Sequence, residues 1–209
     1  IRDHCVTGVQ TCALPIFALE RIDWWSAPLA QAAGLEASPA LLIALASVEA
    51  QCLQEQLHAV ASLSALTSRR LQSEEVEALL QEARGGNLQA PAPAWLLRVG
   101  VRPDGAPLLV ERATAAGLRL ELCAGSGLGM AWTERALEGA KVEALRAHCR
   151  ELGGHLTVLR QPEGGGLSAW GDAPAKALIE AVKRQFDPRG QLAPGRLPGV
   201  AAAQPAATR

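Results

Sequence analysis

Aromatic side chains are scarce in this chain: five Trp, two Phe and no Tyr make up 3% of its 209 residues. Its core must therefore be aliphatic, built mainly from Leu, Val and Ala. The same scarcity disfavours an RNA-binding sheet, which needs aromatic platforms for stacked bases. Charge of one sign is also missing, since 20 basic residues meet 21 acidic ones for a net charge of -1. No basic field exists to hold nucleic acid or an anionic membrane. No apolar run approaches the roughly 20 residues that span a bilayer. Cysteines do not form a framework. Outside the first sixteen residues they are Cys52, Cys123 and Cys149, odd in number and far apart. No CxxC or Cys/His pair has zinc-site spacing, and free thiols suggest a reducing, cytoplasmic setting.

The two ends differ from the middle. Residues 1–16, IRDHCVTGVQTCALPI, show neither helical nor alternating apolar period and lack the apolar core and cleavage site of a secretory signal. They resemble the translation of a sequencing adapter, a genuine extended strand being the alternative. They are set aside, and with them His4, Cys5 and Cys12. Residues 201–209, AAAQPAATR, are small and Pro-containing and are expected to be disordered. Residues 17–200 remain, enough for one sizeable core.

Within that span, LLIALAS (Leu41 to Ser47) reads as a buried strand, though its Ala and Leu content leaves a helix open. Ser47 can cap a helix through about Leu63, with Cys52, Leu53, Leu57 and Val60 inward and His58 solvated. Ser73 with Glu74 and Glu75 opens another, ended by Gly85-Gly86. WLLRVGV (Trp95 to Val101) predicts a strand, Pro103-Asp104-Gly105 a turn, and Leu108 to Ala116 a short helix. LRLELCA (Leu118 to Ala124) alternates as a strand. A helix carrying Val142, Leu145, Cys149 and Leu152 ends at Gly153-Gly154, and HLTVLR (His155 to Arg160) is the next strand. The order is strand-helix-strand, then strand-helix-strand-strand-helix-strand. It predicts an α+β fold: a ferredoxin-like antiparallel sheet with helices on one face.

GSGLG (Gly125 to Gly129) invites a dinucleotide interpretation. The Rossmann fingerprint needs a helix opening at its third glycine, so that the helix N-terminus meets the pyrophosphate. Here Met130-Ala131-Trp132 continues as strand, and no acid follows about twenty residues on. A glycine-rich hairpin fits better. His155 has no acidic partner in sequence to make it an acid or base. Arg146 and Arg150, four apart on a helix, are most simply a solvated face beside Glu143 and Glu151.

The C-terminal part carries the most specific pattern. Asp172 can cap a helix whose first turn takes Ala173 and Pro174. Leu178, Ile179, Val182 and Phe186 follow at helical spacing, with Lys183 and Arg184 in the last turn. The apolar face Leu178, Val182 and Phe186 is expected to pack onto the sheet. Asp187-Pro188 stops the helix, and Pro194-Gly195-Arg196 forms a second turned segment. The stretch FDPRGQLAPGR resembles the C-terminal signature of FAD-linked oxidases of the vanillyl-alcohol oxidase type. The ordered series FALERIDWWSAPLAQ, LLIALAS-VEAQ, WLLRVGV, AGSGLG, VEALRAHCRELGGHLTVLRQP, SAWGD and FDPRGQLAPGR is similar to the FAD-binding E subunits of bacterial glycolate oxidase.

That resemblance covers nearly all of residues 17–200 and implies the cap and C-terminal domain of such a subunit. It further implies a preceding flavin domain with a glycine-rich pyrophosphate loop, which makes this chain a fragment, inactive alone. The implied activity is FAD-dependent oxidation of a 2-hydroxy acid, glycolate to glyoxylate, or D-lactate in a related oxidase. A non-catalytic ferredoxin-like assembly module is the alternative. Pro194, Gly195 and Arg196 are the implied cofactor-binding residues, lining the FAD site. Implied partners are the flavin-bearing D subunit and the iron-sulfur F subunit, with a cytoplasmic location peripheral to the inner membrane through them. Trp170-Gly171 would lie near the flavin domain. Two departures stand out. Ala193 replaces the family's frequent Asn or Ser, and no matched position supplies a base, a role the resemblance places in the D subunit.

Overall fold

The computed structural model describes residues 19–63, 68–71, 74–77, 79–80, 94–171 and 175–192. The expectations for residues 1–16 and 201–209, for Ser73 and Gly85-Gly86, and for Asp172 to Pro174 lie outside these residues.

In chain order the elements are β1 (Leu19–Trp25), α1 (Ala27–Ala32), β2 (Ala40–Leu45), α2 (Ala50–Leu63), β3 (Trp95–Gly100) and α3 (Ala106–Ala115). They continue with β4 (Arg119–Cys123), β5 (Leu128–Thr133), α4 (Gly139–Glu151), β6 (His155–Arg160) and α5 (Lys176–Phe186). Among the described residues six strands form one sheet in the order β2-β1-β4-β5-β3-β6. Every neighbouring pair is antiparallel. The fold is α+β. From β3 to β6 the run is strand-helix-strand-strand-helix-strand, as the sequence predicts. Each helix-linked strand pair (β3 with β4, β5 with β6) is separated in the sheet by one intervening strand, a split β-α-β connection.

Period-two alternation decides which side chains go inward. In β3, Trp95, Leu97 and Val99 enter the main core while Arg98 stays exposed. Leu120 and Leu122 of β4, Ala131 of β5, and Leu156 and Val158 of β6 join the same layer. Over it lie Leu109, Val110 and Ala113 of α3, with Val142, Leu145 and Cys149 of α4. Burying each such Leu or Val contributes about 1.5–3 kcal/mol before chain entropy is set against it.

The opposite face is not bare. Trp25, Leu96 and Trp132 meet Leu29 of α1 and Leu79 in a second, smaller cluster. Helices on one face therefore describes α3 and α4, while α1 and Leu79 serve the other side. Neither β1 nor α1 has a clear signal in LERIDWWSAPLAQA, because charged and apolar residues there follow no clean period.

Candidate functional site

The turn after α5 is built around one carboxylate. Asp187, just past the helix end at Phe186, is buried although charged. Its Oδ1 accepts the Gln191 N–H at 2.9 Å and its Oδ2 accepts the Leu192 N–H at 2.8 Å. Lys183, one turn back, places its ammonium on the same carboxylate and on the Leu192 carbonyl. The Gly190 N–H closes the turn onto the Asp187 carbonyl at 3.0 Å. The Lys183 contact and then the Leu192 and Gln191 amides hold the Asp187 carboxyl down at about 2. So depressed a carboxylate, with both oxygens occupied, is a poor proton acceptor at neutral pH, where a general base needs a pKa near the working pH. Its role is to fold the chain back onto α5.

That fold-back meets an uncovered apolar helix face. Leu178 is 65% exposed, Val182 49% and Phe186 81%. The expected packing of this face onto the sheet does not occur. The main core is covered by α3 and α4, and the second cluster by α1 and Leu79, with no residue of α5 in either. Instead Leu192 returns beside Val182 and Phe186, and with Leu178 and Ile179 they line an open hollow of about 410 Å³. A surface of this kind marks an interaction site more often than an isolated apolar residue does. Pro194, Gly195 and Arg196, to which the resemblance assigns the cofactor, lie outside the described residues, as does Ala193. The last described residue before them is Leu192, which lines that hollow.

GSGLG is a hairpin. Residues 124–126 form the turn between β4 and β5, and no helix follows. Gly127 has φ +68°, and a Cβ there would strike the Val101 carbonyl oxygen. A Cβ at Gly129 would strike the Glu121 carbonyl oxygen. The Val101 N–H donates to the Gly127 carbonyl at 2.9 Å. Backbone crowding accounts for these two glycines, and the space a phosphate would need is filled by protein.

His58 and His155 are exposed. Arg146 corrects the solvated-face expectation: it is 5% exposed. Its guanidinium donates to Glu143 and to the Ser168 carbonyl, both at 2.6 Å, pinning the strand-to-α5 connection against α4. Periodicity cannot reveal this, because the burying segment comes from 22 residues downstream. Trp170 is partly exposed. Cys149 is buried and its thiol is pushed up to about 12 by that burial. Cys52 is raised by its hydrogen bond to Glu49, whereas exposed Cys123 is lowered by the Ser126 hydroxyl and backbone amide.

One polar cluster has no counterpart in the sequence reading. Arg21 pairs with Asp23 on β1 and with Glu121 on β4, the latter at 2.5 Å. Asp23 is 4% exposed. The available signal was the i, i+2 spacing of Arg21 and Asp23, which puts both on one strand face.

Among the described residues, no group of three His, Cys, Asp or Glu side chains is placed to hold a metal ion. No helix among them is long and apolar enough to cross a membrane. No protein-family model matches the chain, and no curated protein is significantly similar to it.

Proposed function

We propose that this chain is the cap and C-terminal part of an FAD-linked oxidoreductase subunit acting on 2-hydroxy acids, with glycolate to glyoxylate as the favoured reaction. The observation that carries it is α5. Its apolar face goes unused within the described chain, and in the sequence Pro194-Gly195-Arg196 follows soon after the Asp187 turn. A helix of this kind suits a boundary with a second domain.

The glycine-rich stretch described here does not fit a dinucleotide phosphate, since the Val101 and Glu121 carbonyls fill its space. On the resemblance, the cradle for FAD would lie in a preceding domain. FAD would accept the hydride there, and the chain's own contribution would be to cover and orient. The D and F subunits of glycolate oxidase are the proposed partners, with a cytoplasmic, peripherally membrane-associated assembly.

The test joins this chain to the reading frame that precedes it in the source DNA and measures bound flavin by its absorbance. Retention of FAD, and its reduction by glycolate once partner subunits are added, is the expected result. An upstream frame without a glycine-rich flavin domain overturns the proposal. D-lactate reducing the flavin in place of glycolate would move the substrate to a related oxidase.

A second function, a non-catalytic assembly module, is favoured by the structural employment of the paired charges: Arg146 on Ser168, Asp187 on its turn, and Arg21 between Asp23 and Glu121. It predicts that the joined protein stays colourless.

A further inference from the structure

β2 ends the sheet, so one side of its backbone meets no strand among the described residues. Its sequence is ALLIAL, and no charged residue occurs from Pro39 to Val48. None of its six residues is buried, and Leu41 is 39% exposed. Sheet edges are normally blunted by charge, bulges or a covering element, because open N–H and C=O groups template pairing with another strand. Apart from Pro39 at its entrance, β2 carries no charge to blunt it; the β1–β2 pair has one irregularity, on the β1 side between Leu19 and Arg21, and α2 packs against β2 without burying any of its residues.

We propose that β2 is a self-association edge, through which two copies of this chain pair antiparallel about a two-fold axis and join their sheets. Any strand that adds here must bring its own free edge and an apolar, neutral set of side chains. A second copy brings both. In an antiparallel pair directly opposed residues share a sheet face, so a symmetric register must centre on one residue, either Leu42 or Ile43. Centred on Leu42, Leu41 faces Ile43 of the second copy and Ala40 faces Ala44. Centred on Ile43, Leu41 faces Leu45 and Leu42 faces Ala44. Neither register opposes like charges, and both place branched or aliphatic cross-strand pairs, which stabilise a sheet.

Size sets a further requirement. A ladder of this length runs only about 20 Å, whereas a stable interface buries roughly 1,200 Å² or more. The rest falls to α2, which follows β2 and packs against it. Its Cys52, Leu53, Leu57 and Val60 are only half-buried.

Light scattering on the whole chain at micromolar concentration is expected to give twice the monomer mass. Ile43 stands opposite or diagonal to Ile43 of the second copy in both registers. Ile43→Lys and Ile43→Glu are each expected to give monomers, since like charges then meet across the pair. An equimolar mixture of the two is expected to return to dimers, a rescue that simple misfolding would not produce. A monomeric wild type, variants that stay dimeric, a mixture that stays monomeric, or open-ended growth in place of a closed dimer would each overturn the proposal. On the wild type alone, amide exchange in β2 should slow as concentration rises. Exchange independent of concentration counts equally against it.

Discussion

The Ser26 hydroxyl bridges two backbone groups of the chain entering β4: it donates to the Leu118 carbonyl and accepts the Leu120 N–H, each at 2.8 Å. The Ser26 N–H also donates to the Leu120 carbonyl at 3.0 Å. This joint ties the end of β1 to β4 immediately before α1 begins, and it is fully buried.

Ser26→Ala leaves the Leu120 amide and the Leu118 carbonyl each one partner short in a buried place. Removing one side of a buried hydrogen bond costs about 1–3 kcal/mol. Urea denaturation should show that loss, carried mainly by the midpoint with the slope unchanged. An unchanged midpoint would mean that neighbouring groups re-satisfy both atoms.

Asp187 makes the C-terminal turn pH-dependent. Its carboxyl lies at about 2 against an ordinary 3.8, so the folded turn favours the ionised form. The stabilisation is fully present above the ordinary value and disappears as pH falls from about 4 through about 2. Amide exchange protection at Gln191 and Leu192 should follow that window. Asp187→Asn should weaken protection of both amides at neutral pH, because the lysine contact is lost and only one acceptor oxygen remains.

Phe186→Ala is expected to change the stability of this chain by no more than about 0.5 kcal/mol, the usual range for surface substitutions. At 81% exposure there is no packed cavity to create. In the joined protein with a flavin domain, the same substitution should lower flavin retention. A large stability loss in the chain alone would mean that the ring is covered in solution.

The hairpin glycines offer a paired contrast. Gly127→Ala forces a side chain into left-handed backbone, costing about 1–2 kcal/mol, and drives its Cβ into the Val101 carbonyl. Gly125→Ala meets nothing within 4 Å. Thermal unfolding should therefore fall clearly for Gly127→Ala and hardly at all for Gly125→Ala.

The sequence by itself determined the fold class and most local elements, though not β1 or α1. Alternation in LRLELCA placed β4, the apolar runs WLLRVGV and HLTVLR placed β3 and β6, the 3.6-residue spacing of Val142, Leu145 and Cys149 placed α4, and Asp187-Pro188 stopped α5. Strand residues after GSGLG rightly made it a hairpin, since a phosphate loop requires a helix next. These signals are legible because each depends on neighbours within one turn or two strand residues. Only the tertiary structure decided the rest. Phe186 has the spacing of a core residue, yet it is 81% exposed and both core clusters are filled by other elements. Arg146 sits where a surface arginine belongs, yet Ser168 and its segment fold over it. Burial depends on what arrives from elsewhere in the chain, and periodicity records only which side chains share a face, not whether anything lies against it.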